Sequence, residues 1–233
     1  MKLKEIISSV FFPERCHICG NIKPFLKSYC VRCGIDTKAI SPDACEKCGH
    51  EKCICRTDAY IDLPHFTAVY YYQGELKKSL HRFKFYSDNS YADYFGKAMA
   101  DRIKKLYGDI SFDGVCFVPM TKQAETIRGY NQSQLLASKI ADELSVPVVP
   151  CLEKEAGSVE QKTLTAKQRV KNLHGSFKVN DDINGKVLIL CDDIKTTGAT
   201  LKECSDTLLS AGAKDIYCVT LALTQYLNHS ELF

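Results

Sequence analysis

The chain has 233 residues, 45% of them apolar and 25% charged, with a formal net charge of +3. That length holds one medium α/β domain and a small appendage, and the composition is that of an ordinary globular protein, which excludes a low-complexity or membrane-embedded chain. The charge is too small to imply nucleic-acid binding by itself, and it does not oppose such binding.

The opening stretch, MKLKEIISSVFFPERC, resembles a signal peptide only in passing. Its apolar run is short, Glu5, Ser8 and Ser9 interrupt it, and no small-residue cleavage site follows. No segment approaches the roughly 18 apolar residues that a bilayer span needs. The expected location is the cytoplasm.

Thirteen cysteines are present, and eight fall between Cys16 and Cys55. A secreted disulfide scaffold spreads its cysteines through a small domain with little core; a local cluster ahead of a long apolar-patterned region fits metal ligation better. Cys16-x2-Cys19-x10-Cys30-x2-Cys33 has zinc-ribbon spacing, since each Cys-x-x-Cys turn brings two sulfurs to one metal and two turns complete a tetrahedron. Cys45-x2-Cys48-x4-Cys53-x-Cys55 forms a second candidate set with a tight last pair. His50 could replace one of its thiols, and an interleaved arrangement joining Cys16 and Cys19 to Cys45 and Cys48 stays open. One or two structural zinc ions are expected; a redox dithiol competes, but eight clustered cysteines speak against it. Cys116, Cys151, Cys191, Cys204 and Cys218 lie mostly in apolar runs and are expected in the core.

Two regions part at about residue 60: a Cys-rich region, 1–60, and an alternating region, 61–233. Residues 67–72 (TAVYYY) predict a strand, after which Leu76, Leu80 and Phe83 recur at helical spacing. Ala92, Phe95, Met99, Ile103 and Leu106 mark a longer helix. Residues 115–118 predict a strand ended by Pro119; Leu135, Leu136, Ile140 and Leu144 mark a helix, and 146–149 a short strand. Residues 187–190 predict a buried strand, 200–211 a helix with Leu201, Cys204 and Leu208 on one face, and 216–223 a closing strand. Strands apolar throughout, alternating with helices, predict a parallel sheet covered on both faces. Residues 153–177 are polar and without period, as a functional loop would be.

The stretch CDDIKTTGAT follows the strand 187–190. In open α/β sheets ligands bind outside the carboxyl ends of strands. The backbone N–H groups of Thr196, Thr197, Gly198, Ala199 and Thr200 could point into one concavity, with the dipole of the next helix adding positive potential. Asp192 and Asp193 can accept hydrogen bonds from vicinal hydroxyls or hold a hydrated Mg²⁺. A sugar phosphate satisfies both halves. A bare Asp-Asp pair would more often be turn and cap chemistry; the whole run of apolar strand, acids and TTGAT favours a ligand.

VLILCDDIKTTGATL resembles the phosphoribosyl-pyrophosphate (PRPP) motif of type I phosphoribosyltransferases. The resemblance implies that Asp192 and Asp193 contact ribose hydroxyls and act as the catalytic acids if the chain turns over. It likewise implies that Thr196–Thr200 hold the 5′-phosphate, with a phosphate contact from Lys195. Further along, Arg128-Gly129-Tyr130-Asn131-Gln132 resembles the RGxNQ signature of the ComF family of competence-associated proteins. Gln161, Leu164, Arg169, Asn172, Gly175 and Phe177 match that family's spacing, as do His81-Arg82-Phe83-Lys84-Phe85 and the paired cysteines. This implies a type I phosphoribosyltransferase-like α/β domain with an N-terminal zinc-ribbon region. It also implies pyrophosphate contacts from Arg128 and Arg169, and a role in natural transformation on the cytoplasmic side.

Cations near the cysteines (Lys23, Lys27, Arg32, Lys47, Lys52, Arg56) and the stretch KKSLHRFKFY bear on nucleic acid. Lys77, Lys78, Arg82 and Lys84 interleave with aromatics, as a single-stranded DNA site with stacking requires; the plainer account is the wet face of a helix. The ComF resemblance favours single-stranded DNA and implies proteins of the DNA-uptake machinery as partners. A nucleobase-salvage transferase and a non-catalytic PRPP-sensing adaptor are the alternatives. The resemblance implies that the zinc region and the aromatic segment take the place of the base-recognising hood of salvage enzymes.

Overall fold

The structure is a computed structural model that describes residues 13, 15–24, 29–57, 60–85, 89–155 and 175–225. Of the expected site residues, Arg169 lies outside the described residues, as do Lys27, Gln161, Leu164 and Asn172.

In chain order the elements are α1 (Val31–Asp36), β1 (His65–Tyr71), α2 (Gly74–Phe85), α3 (Asn89–Tyr107), β2 (Gly114–Phe117), α4 (Lys122–Arg128), α5 (Gln132–Leu144), β3 (Leu152–Lys154), β4 (Phe177–Val179), β5 (Val187–Lys195), α6 (Ala199–Ser210) and β6 (Asp215–Leu223). The main sheet runs β1-β6-β5-β2, and every pairing in it is parallel. Residues 146–149 contribute one further parallel bridge, Val148 to Val115, rather than a full strand. β3 and β4 form a separate antiparallel pair; of the functional loop expected over 153–177, residues 156–174 lie outside the described residues.

Period-two alternation sends the strands' side chains to two cores. Leu188 and Leu190 of β5, with Cys116 and Cys218, meet Leu201, Cys204 and Leu208 of α6. Ile189 and Cys191, with Val115, Phe117, Val219 and Leu221, meet α2, α3 and α5 through Leu80, Phe83, Phe95, Met99, Leu136 and Ile140. Burial on both faces explains why β5 and β6 read as continuous apolar runs. All five late cysteines are buried in these cores.

The Cys-rich region is laid along the outer edge of β1. Ile40 N–H donates to Val69 O at 2.9 Å and Tyr71 N–H to Lys38 O at 3.0 Å, so the edge is covered rather than left open. Arg102 of α3 clamps this junction, donating to Thr67 Oγ1, Ile40 O and Ser41 O at 2.9, 2.9 and 2.8 Å. Ile40 and Ala44 thereby join the core on the α6 side of the sheet.

One expectation is corrected. The strand predicted to stop at Leu190 continues through the acid pair to Lys195, with Asp192, Ile194 and Lys195 in register with Thr220, Ala222 and Leu223. The reason is the length of β6, buried almost throughout, which offers a ladder partner beyond the apolar run.

Candidate ligand site and metal centres

Asp192 and Asp193 stand near the carboxyl end of β5, each held by a different helix. Ser133 of α5 donates its hydroxyl to Asp192 Oδ1 at 2.8 Å, and Asp193 N–H donates to the same oxygen at 2.9 Å. Lys84, at the end of α2, places Nζ 3.0 Å from Asp193 Oδ2. Desolvation, then the neighbouring Asp193 charge, pushes the Asp192 carboxyl up to about 7 against these stabilising contacts. Burial opposes the charge on Lys84, but Asp193 and Asp192 outweigh it, and its pKa is raised.

The segment 128–133 builds the brace behind this arrangement. Gly129 ends α4 in the left-handed conformation, and its N–H donates to Glu125 O. Tyr130 donates its hydroxyl to Phe83 O, and Gln132 Nε2 donates to Lys84 O at 3.4 Å, so side chains cap the last turn of α2. Asn131 caps α5 by accepting from Ser133 N–H at 3.0 Å and ties to β2's exit by donating to Val118 O at 3.1 Å. Arg128 reaches Gln132 Oε1 at 3.5 Å and is close enough to Lys84 to oppose its charge. Ser133 and Gln132 were missed as site residues. The signal was their place immediately after the cap residue Asn131.

The turn after the acids is half open: Thr196 is exposed, Thr197 and Thr200 are half-buried, and Gly198 and Ala199 are buried. Thr197 Oγ1 accepts from Ala199 N–H at 3.3 Å. Gly198 caps α6 at φ +89°, where a Cβ would also stand 2.9 Å from Lys195 Cε. The N-terminal N–H groups of α6 and its dipole suit an anion here. Lys195 does not line this concavity: it is 4% exposed, with its ammonium 4.8 Å over the Phe66 ring. The phosphate contact expected of it is not what this placement offers.

The four cations expected to bind DNA are not brought together. Lys77 and Lys78 are exposed, Lys77 5.8 Å from the Tyr72 ring centroid and Lys78 2.7 Å from Glu75. Arg82 instead turns inward, donating to Ile18 O and, at 3.3 Å, to Tyr91 Oη, while Lys84 serves the acid pair.

Both cysteine sets close into four-thiol groups, Cys16, Cys19, Cys30 and Cys33, and Cys45, Cys48, Cys53 and Cys55, each with its sulfurs within 4.8 Å of one another. This resolves the pairing in favour of two consecutive sets. Sulfur separations of 3.5 Å for Cys19–Cys30 and 3.6 Å for Cys45–Cys55 and Cys53–Cys45 are close to the ~3.8 Å edge of a tetrahedron with Zn–S of about 2.3 Å. Either set can hold zinc. Burial disfavours the Cys45 thiolate, but the N–H groups of Cys48 and Lys47 outweigh it and bring the thiol down to about 7. His50 is buried beside the second set and, through desolvation and then Lys195, pushed down to about 4.

A family model described as phosphoribosyl transferase domain matches residues 131–231. Competence protein ComFC of Bacillus subtilis (strain 168) is 30% identical over 195 residues, covering 78% of this chain and 78% of that protein. The chain belongs to the ComF family. Competence protein F of Haemophilus influenzae is 26% identical over 215 residues, covering 88% of this chain and 90% of its own length. DNA utilization protein YhgH of Escherichia coli (strain K12) is 24% identical over 215 residues, with 89% and 90% covered. This ComF chain therefore has the type I phosphoribosyltransferase fold, a parallel sheet flanked by helices, with N-terminal cysteine sets able to form zinc-ribbon sites. Among the described residues no helix is long and apolar enough to cross a membrane.

Proposed function

We propose that this chain binds PRPP with Mg²⁺ at the acid pair and turn, and acts in DNA uptake by handling incoming single-stranded DNA on the cytoplasmic side. The observation that carries the ligand reading is the pair Asp192 and Asp193, braced by Ser133 and Lys84 immediately ahead of a turn that opens α6. Ribose hydroxyls suit the carboxylates, and the 5′-phosphate suits the N–H groups of the turn. The donor set also fits a hydrated divalent cation, because Asp193 already accommodates a positive charge from Lys84. Arg128, near enough to Lys84 to oppose its charge, is the candidate for the pyrophosphate. Were phosphoribosyl transfer to occur here, positive charge developing on the ribose ring would be stabilised by carboxylates beside it.

The cellular role draws on the names of the relatives, two of them competence proteins and one a DNA utilization protein. Calorimetric titration of PRPP with Mg²⁺ into the wild type and into Asp192→Asn/Asp193→Asn tests the ligand. Saturable binding lost in the double variant is expected; no binding by zinc-loaded wild type would overturn the reading. Turnover is tested separately, as release of pyrophosphate on adding a candidate acceptor.

A further inference from the structure

Lys195 is the one buried lysine or arginine among the described residues, and no carboxylate there pairs with it. An isolated cation removed from water is costly unless it is matched, and the Phe66 ring 4.8 Å from its ammonium supplies only part of the match. Burial lowers the pKa of Lys195, and the groups that work against that are thiols, Cys48 first, then Cys218 and Cys55. Two of these belong to the second four-thiol set. Four thiolates around one divalent ion carry a formal charge of about −2, which is the charge a buried ammonium lacks here.

The packing joins the three parts physically. The loop of the second set lies on Phe66, since a Cβ at Gly49 would stand 2.4 Å from Phe66 Cε1 and 3.4 Å from Leu223 Cδ2. Phe66 N–H donates to Glu46 O at 3.3 Å, and Leu223 is the register partner of Lys195. On its other side the Lys195 stem runs beneath Gly198, leaving no room for a Cβ. Lys195 thus lies between the Phe66 ring, on which the loop of the second set packs, and the turn of residues 196–200.

We propose that Lys195 is the internal counter-cation of the Cys45, Cys48, Cys53 and Cys55 centre, and that through it zinc occupancy of that centre sets the shape of the 196–200 turn. The link between metal and turn stands on the packing; its consequence for ligand affinity rests on the PRPP reading above. Partners that act on a metal from outside its ligand shell typically change affinity 10- to 100-fold.

The test uses the full, zinc-loaded chain and two readouts: zinc release to a colorimetric chelator, and amide hydrogen exchange over residues 196–200. Cys53→Ser, at the exposed ligand of the second set, identifies which release phase belongs to it. Lys195→Met is expected to speed that phase by at least about tenfold, to leave the Cys16 centre's phase unchanged and to raise exchange in the turn. Lys195→Arg, which keeps the charge, should return the release rate toward wild type. Unchanged release in Lys195→Met would overturn the proposal. So would equal acceleration by Lys47→Met, an exposed cation beside the same centre. If Lys195→Met fails to fold, Cys53→Ser alone decides: turn exchange indistinguishable from wild type rejects the link. Neither readout requires PRPP, so failure of PRPP to bind the wild type would remove the ligand reading and leave the metal–turn result standing.

Discussion

Asp192 shows how a neighbourhood sets a side chain's chemistry. Its carboxyl is pushed up to about 7, from an ordinary value near 3.9, by desolvation and then by Asp193. The folded chain therefore holds this proton more tightly than the unfolded chain does. The cost to stability is absent below the ordinary value, grows as pH rises, and is complete above about 7. Asp192→Asn removes that cost, so its melting temperature relative to wild type should be more favourable at pH 8 than at pH 6. An equal difference at both pH values would mean the carboxyl titrates normally. Lys84 is the complementary case, because it neutralises Asp193 at 3.0 Å. Lys84→Met leaves two adjacent carboxylates without their cation and should destabilise by about 1–3 kcal/mol, the cost of an unpaired buried group. Millimolar Mg²⁺ should recover more of the melting temperature in this variant than in wild type, which a thermal melt with and without the ion reads directly.

At the level of elements, the motif around residue 130 proves to be a joint between helices. Asn131 both caps α5 and holds Val118 O, and through the cap it fixes Ser133 against Asp192. Asn131→Ala should cost about 1–3 kcal/mol, the range for a lost cap together with a buried carbonyl left unmatched. A lowered denaturant midpoint with an unchanged slope is the expected result, accompanied by weaker PRPP binding. Much of this architecture was legible in the chain. Apolar runs at 187–190 and 216–223 declared buried strands, and Leu76, Leu80 and Phe83 declared the inner face of α2. The acids and the turn stood out because an apolar strand, two acids and a threonine- and glycine-rich turn follow one another without a gap. What escaped is equally physical. The strand continued past its apolar residues because pairing with β6 holds Asp192 and Lys195 in the sheet although neither side chain is apolar. Lys84 and Arg82 read as solvent-facing cations, for DNA or as the plain wet face of a helix, since periodicity cannot say that one meets an acid from β5 and the other a carbonyl at Ile18. The short helix α4 buries no residue, so it left no apolar stripe to find.

For the whole molecule, the arrangement of charge constrains how it could engage DNA. The net charge is only +3, and of the four cations on the KKSLHRFKFY stretch two are committed to internal contacts. Lys77 and Lys78 alone face solvent there, Lys78 shared with Glu75. Binding of single-stranded DNA by so few cations would neutralise few phosphates, and each phosphate contact contributes about 0.7 to the slope of log K against log salt. Lys77→Ala/Lys78→Ala should therefore flatten that slope by about 1.4 while leaving the melting temperature near wild type. Arg82→Ala should behave differently. It removes a tie from α2 to the first cysteine set at Ile18 and to α3 at Tyr91, so its effect should appear as lost stability and faster zinc release from the Cys16 centre. Fluorescence anisotropy of a labelled oligonucleotide across 50 to 200 mM salt, roughly the range in which such contacts are read, separates the two. A slope unchanged in the double lysine variant would move the DNA surface away from α2. The exposed cations Lys47 and Arg56 near the second cysteine set would then be the next positions to replace.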